Sequence, residues 1–288
     1  MIRGARPPEK RVLDADTRRA LIDNHRKAKR DLAPGDKRIS SRWNEFRSRD
    51  PKGAGQKVWL ALFTCFHGKC AYCEQIAPRT IEHVFPKSAY PARVFRWNNL
   101  LPVCRNCNSA RGESMPLGLD GTPLLLDPTR DEPLDYLSWD PLTGATIDCP
   151  LPGRTERAEA TRVGFALHWY DGERLQAARN LRFFLARVVR EAEVSEETKE
   201  RLRAHLSPSR PWLGIVREML LRPTRDDDRR LAEAAIDRLP EIREWVSSWL
   251  RPPEWAAQAW AAPVTDPAVA RTPGAPMPEV TQGPTSSR

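Results

Sequence analysis

Two Cys-x-x-Cys pairs, Cys70-Ala-Tyr-Cys73 and Cys104-Arg-Asn-Cys107, stand thirty residues apart in a chain of 288. No other feature restricts the fold as much. One CxxC turn sets two thiolates on the same side of a metal, and two such turns supply the four soft ligands of a tetrahedral zinc. A site closed by four protein ligands leaves no position for water, so the ion folds the segment and does no chemistry. Redox pairs or buried free thiols are the competing reading; two matched pairs in one short basic segment favour the metal. Cys65 and Cys149 fall outside the pattern and read as core or surface thiols.

Thiolate zinc ligands suit a reducing compartment, and the rest of the chain agrees with one. Met1 to Lys10 carries charges and two prolines where a secretory signal has its apolar stretch, and no run approaches the roughly 18–20 consecutive apolar residues of a membrane-spanning helix. The expectation is a soluble, cytoplasmic protein that engages no membrane. Charge is unevenly spread. Residues 1–117 hold 24 basic and 11 acidic side chains, net +13, residues 118–150 are net −6, and residues 151–288 are net +2. A basic first segment beside a nearly balanced last one points to a polyanion contacting residues 1–117, with a solvated Arg-rich surface as the plain alternative.

Periodicity organises the remainder. Ala20, Leu21, Asn24, Ala28 and Leu32 predict an amphipathic helix over 17–32, ended by Pro34-Gly35, and a second helix is expected over 56–66. Residues 68–112 mix short apolar stretches with turn residues, as a metal-organised segment does. Pro, Gly and Asp between 117 and 150 suggest loops with short strands near Leu124-Leu125-Leu126 and Ala145-Thr146-Ile147. From Arg157 the steps Val163, Leu167, Tyr170, Leu175, Ala178, Leu181, Leu185 and Val188 are helical, with further helices over 196–206, 212–221 and 229–250. Eight prolines in the last 38 residues predict a disordered tail.

Between the cysteine pairs lies Thr80-Ile-Glu-His-Val-Phe-Pro86, followed by Trp97-Asn98-Asn99-Leu-Leu-Pro-Val-Cys104-Arg-Asn-Cys107-Asn108. Phosphodiester hydrolysis needs a water nucleophile, a base for its proton, and a cation for the charge that develops on phosphorus oxygens and leaving group. His83 is the candidate base, since imidazole is half available near neutral pH, and Glu82 is a hard oxygen donor suited to Mg²⁺ or Mn²⁺. Adjacent side chains of a strand point to opposite faces, so the two share one phosphate only if the strand twists or ends there. His25, His67, His168 and His205 read as structural. Lys87, Arg105 and Arg111 are placed to meet phosphates, with solvated charge as the equal alternative for each.

The order CxxC, Glu-His, Asn, CxxC-Asn resembles the HNH nuclease family, and the surrounding text (CAYCE, IEHVFPKS, WNNLLPVCRNCNSARG, LLLDP) is similar to the HNH subunits of the Septu and retron-associated anti-phage systems over about residues 66–130. The resemblance implies a ββα-metal module with His83 as general base, Glu82 and Asn108 as ligands of the catalytic metal, and Asn99 as the residue that fixes the loop carrying the base, with Asn98 as its alternative. Asn108 stands where the family pattern has His or Asn, and a neutral amide implies modest metal affinity.

Together these readings give an α+β, mostly helical chain: a basic helical arm (1–49), a zinc-stapled ββα-metal (HNH) nuclease module (50–117), an acidic loop-rich connector (118–150), a helical domain suited to partner docking through large side chains such as Trp169, Trp212, Trp245 and Trp249 (151–250), and the tail (251–288). The activity implied is metal-dependent endonuclease cleavage, of DNA first and RNA second, in an anti-phage complex with an ABC- or SMC-like ATPase subunit. No GxxxxGK[ST] pattern occurs, so nucleotide hydrolysis belongs to that partner. The alternative is a non-catalytic zinc ribbon that binds nucleic acid or docks a protein.

Overall fold

A computed structural model describes residues 6–48, 53–76, 78–148 and 153–250. Its elements run α1 (Glu9–Val12), α2 (Ala15–Asp31), α3 (Arg38–Ser48), α4 (Ala54–Cys65), β1 (Thr80–His83), β2 (Leu100–Val103), α5 (Arg105–Arg111), β3 (Leu137–Trp139) and β4 (Thr146–Asp148), then α6 (Thr155–Gly164), α7 (Asp171–Arg190), α8 (Glu196–His205), α9 (Leu213–Leu221), α10 (Asp226–Arg238) and α11 (Glu241–Leu250). The chain is mostly helical α+β with two small antiparallel sheets among the described residues. Cys149 and the Pro-rich stretch beyond 250 lie outside them, as does the side chain of Trp249.

The β1–β2 hairpin is the hinge of the architecture. Glu82 pairs with Leu101 and His83 with Leu100, and every residue of β2 is buried. Ile81 and Leu100 join an apolar cluster with Leu21, Ala28, Ile39, Trp43, Val58 and Leu62 from α2, α3 and α4. Leu101 and Val103 join a second cluster that holds the four cysteines and the C-terminal helices. A strand buried on both faces reads as a continuous apolar run, and Leu100-Leu-Pro-Val103 is one.

Residues 6–48, most of the stretch read from the sequence as an arm, pack onto the hairpin. Asp14 caps α2 by accepting from the Thr17 N–H at 2.8 Å. In α3, Ile39, Trp43 and Phe46 follow helical spacing toward the hairpin, and α4 lies so close to α3 that a Cβ on Gly55 would collide with the Phe46 carbonyl oxygen. On the other side, Phe165 stacks on Tyr72 between the CxxC residues, with ring centroids 3.5 Å apart. Residues 153–246 thus share a core with the cysteine segment. Trp212 and Trp245 pack against that core, whereas Trp169 is about half exposed.

Two sequence expectations change. Leu124–Leu126 form no strand; they are buried in a loop where Pro123 and Leu117 make a single bridge. The strand paired with β4 is instead Leu137–Trp139, which carries no alternating pattern because all three residues are buried. The helix expected over 229–250 divides at Leu239-Pro240, because proline lacks the N–H and its ring clashes with the preceding turn. Among the described residues no helix is long and apolar enough to cross a membrane.

Candidate metal centre and catalytic cleft

The four cysteines Cys70, Cys73, Cys104 and Cys107 are all buried, and their sulfurs lie within 4.8 Å of one another. A tetrahedral ion with zinc–sulfur bonds of about 2.3 Å sets sulfurs about 3.8 Å apart, and the Cys73–Cys104 separation is 3.6 Å. Local backbone geometry prepares the sulfurs for this. The Gln75 N–H donates to Cys73 Sγ and the Cys107 N–H to Cys104 Sγ, each at 3.4 Å, so each knuckle stabilises a thiolate from its own turn. Cys104 is also the N-cap of α5. The Tyr170 hydroxyl, from the helical region, lies 3.6 Å from Cys104 Sγ, accepts from Asn106 Nδ2 at 3.1 Å and donates to Gln75 Oε1 at 3.2 Å, so it touches both knuckles at once. The donor set, its burial and its spacing fit a structural zinc. Cys65, half-buried outside the cluster, has its thiol pushed up to about 11 by burial, as an inert core thiol would.

Close by, a cleft of about 270 Å³ is lined by Glu82, His83, Lys87, Asn108 and Arg111 together with Ser40, Trp43, Asn44, Arg47 and Glu113. Three elements converge there: the end of β1, the first turns of the β1–β2 connection, and α5, with α3 as a wall. Strand alternation would separate Glu82 from His83, but β1 ends at His83, and beyond that point the chain no longer holds neighbouring side chains on opposite faces. Both line the same cleft.

His83 is buried, with its ring against Trp43 at a centroid distance of 4.5 Å and an interplanar angle of 73°. Its Nε2 stands 3.2 Å from the Val94 carbonyl oxygen. A carbonyl only accepts, so Nε2 carries the proton and donates, and in the neutral ring the basic lone pair belongs to Nδ1. Burial drives the His83 pKa down to about 3, with the cations Lys87, Arg111 and Arg47 acting in the same direction against the Val94 hydrogen bond. The ring is therefore neutral at pH 7, the state in which it accepts a proton.

Asn99 does what the Asn98/Asn99 alternative left open. It is buried, whereas Asn98 is exposed. Its Oδ1 accepts from the Phe85 N–H at 2.8 Å, and its Nδ2 donates to the Phe85 and Arg93 carbonyls at 3.1 Å each. One side chain thus clamps both ends of the 84–99 connection that carries Val94, the hydrogen-bond partner of His83.

Arg111 departs from its sequence reading as a phosphate contact. Its guanidinium is buried and already engaged: Nη1 donates to Glu82 Oε1, and Nη2 donates to the Val84 carbonyl at 2.8 Å. Burial raises the Glu82 carboxyl to about 7 while Arg111 holds it down. Lys87 lines the cleft with its ammonium 3.7 Å from Glu113, and Arg105 is exposed at the start of α5. Asn108 is half-buried in the cleft wall. Glu82 and Asn108 give the cleft two hard oxygen donors, enough for Mg²⁺ or Mn²⁺, which keep several waters of their own.

Trp43 and Arg47 are the residues that sequence reasoning missed. They come from α3, in the apolar cluster that α2, α3 and α4 form with the hairpin, and the only signal for them was the Ile39, Trp43, Phe46 spacing of a helix. Arg47 is half-buried, which pushes its pKa down, and its cation adds to the positive side of the cleft.

No protein-family profile matches the chain. It is 33% identical over 98 residues to the Septu protein PtuB of Bacillus thuringiensis, covering 29% of this chain and 35% of that protein. To the Septu protein PtuB of Bacillus mycoides it is 34% identical over 114 residues, covering 29% of this chain and 39% of that protein. The chain thus matches little more than a third of the length of these curated relatives, and over that part it is similar to Septu PtuB proteins.

Proposed function

We propose that this chain is a metal-dependent endonuclease of the HNH type, serving as the effector of a Septu-like anti-phage complex. The observation that carries the reading is the convergence of Glu82, His83 and Asn108 on one cleft in which the imidazole is neutral and oriented. His83 Nδ1 takes the proton of the attacking water, while the Val94 carbonyl holds the Nε2–H and steadies the imidazolium that results. Asn99 keeps Val94 and Phe85 in register so that the ring does not turn away. Lys87 and Arg47 attract the phosphate. Glu82 and Asn108 would hold Mg²⁺ or Mn²⁺, which supplies charge stabilisation at the phosphorane and the leaving oxygen. Binding there requires Glu82 to exchange Arg111 for the ion.

The similarity to Septu PtuB supports the defence setting, and an ATPase subunit of the ABC or SMC-like type is the partner this reading assigns. DNA is the first substrate to test and RNA the second. The test is nicking of supercoiled plasmid, and cleavage of structured RNA, with Mg²⁺ or Mn²⁺ for the wild type and His83→Ala. Metal-dependent cleavage lost in the variant supports the reading.

One observation favours the second reading, a zinc-stapled module that binds without cutting. Arg111 neutralises Glu82, so the carboxylate does not repel a phosphate that enters the cleft. Tight binding with no cleavage under either metal, alone or with the partner ATPase, decides for it.

A further inference from the structure

A second cavity, of about 470 Å³, borders the same β1–β2 connection and plays no part in the chemistry above. Its volume falls within the roughly 300–1,000 Å³ usual for small-ligand sites. Its walls combine two kinds of surface. Val84, Phe85, Pro123 and Leu125 make it apolar, while Arg93 and Arg96 add cationic residues to the lining. The Arg93 guanidinium carbon lies 3.8 Å from the centroid of the Phe85 ring, so the two form a flat stack at the wall.

The balance of charge favours an anion. Two carboxylates line the cavity, and both are engaged. Asp131 accepts from Arg157 Nη1 and Nη2 at 3.0 and 2.7 Å. Asp127 accepts from Arg6 Nη2 at 3.2 and 3.3 Å and from the Thr129 hydroxyl at 2.6 Å. Arg96 differs: it is half-buried at the cavity, its charge is felt at His25 of α2, and among the described residues its side chain makes no hydrogen bond or ion pair. A guanidinium kept partly out of water without a counter-charge is a site for one, and its planar fork suits phosphate.

A flat aromatic–guanidinium stack, an apolar wall and an unpaired guanidinium within one cavity together match a planar heterocycle joined to an anion. We propose that this cavity binds one nucleotide unit, with its base against the Phe85–Arg93 stack and its phosphate on Arg96. The unit comes either from a free mononucleotide or from an unpaired position of a nucleic-acid strand whose neighbouring phosphates reach the cleft. The proposal concerns binding alone and holds whether or not the chain cuts.

The test uses the full chain without added Mg²⁺ or Mn²⁺. Calorimetry with dAMP, dCMP and inorganic phosphate reads the free source, and fluorescence anisotropy with a labelled single-stranded oligonucleotide reads the strand. Arg96→Ala removes the phosphate partner, Thr122→Trp fills the cavity from its exposed rim, and Arg203→Ala on α8 is the control. Zinc content and circular dichroism establish that each variant is folded. A mononucleotide that binds at least tenfold more weakly to Arg96→Ala and Thr122→Trp, but equally to Arg203→Ala, supports the proposal and assigns the free source. The same pattern for the oligonucleotide alone supports it and assigns the strand. Inorganic phosphate binding as well as dAMP would overturn it, as would binding indifferent to both cavity variants or no binding of any probe.

Discussion

The cysteine cluster and the cleft beside it share α5 and the β hairpin, yet they are built on opposite plans. The cluster takes four identical ligands from two short turns, each turn supplying its own N–H···S bonds. The cleft takes unlike residues from α3, β1, the 84–99 connection and α5, and only the packing of two apolar clusters brings them together. The contrast teaches that a closed metal site can be specified locally, because its function is only to be bound. The reaction proposed for the cleft needs a neutral base, an oxygen-donor pair and an approach for phosphate, and no single segment provides all three.

The comparison breaks most completely at the cysteines. Cys70→Ser or Cys104→Ser should lower zinc from about one ion per chain to a small fraction and unfold the cysteine segment, since structural zinc in small modules contributes on the order of 10–16 kcal/mol. Because the cluster shares a core with Phe165, Leu167 and Tyr170, near-ultraviolet dichroism from the helical region should fall with it. A variant that loses zinc and keeps its tertiary signal would contradict the local plan. At the cleft the expectation is the reverse: His83→Ala should keep zinc and fold but lower cleavage by roughly 10²–10⁴-fold, the usual contribution of a general base.

Acid should sharpen the difference. With a pKa of about 3 in the folded chain, against about 6.5 unfolded, His83 binds its proton far more readily when the chain is unfolded. Its contribution is therefore whole above about pH 6.5 and is lost as pH falls toward 3, by up to about 1.4 kcal/mol per pH unit. His83→Gln does not titrate, so its urea midpoint should fall less than that of wild type between pH 7 and 5. Parallel midpoints would show that the ring is not held neutral by burial.

Smaller effects test the clamp and the surface. Asn99→Ala removes three hydrogen bonds from a buried site and should cost about 1–3 kcal/mol in urea unfolding, with cleavage reduced beyond what stability explains. Asn98→Ala, at an exposed position, should change neither. The weakest expected change follows charge reversal at Arg26, Lys27, Lys29 and Arg30 on the exposed face of α2. If that face meets phosphates, the dependence of nucleic-acid affinity on salt should flatten by about one counterion per lost contact. An unaltered slope returns those residues to the solvent.

Legibility followed the same division. The two CxxC pairs, the Glu82-His83 dipeptide and the spacing from Asn99 to Asn108 stood in plain text, because each depends on a few neighbouring residues. The role of Arg111 did not. Its position in the chain suggests a phosphate contact, but the last turn of α5 carries it inward, where the Glu82 carboxylate is the charge it meets. Trp43 and Arg47 were hidden for a related reason: nothing local to residues 38–48 shows that their helix will lie against a strand forty residues later.

Residue type and spacing alone determined that four thiols would gather, that an imidazole would stand beside a carboxylate, and that most of the chain would be helical, since short-range turns and helical periodicity depend on neighbours a few positions apart. Only the tertiary structure decided which tautomer His83 adopts, how far burial depresses its pKa, which asparagine clamps the loop, and that Arg96 lines the second cavity without an ion pair among the described residues. Those properties depend on the partner carbonyl, the dielectric and the nearby charges at one point in space. The groups that set them come from residues 43 to 111, which become neighbours only when the hairpin is packed between its two cores.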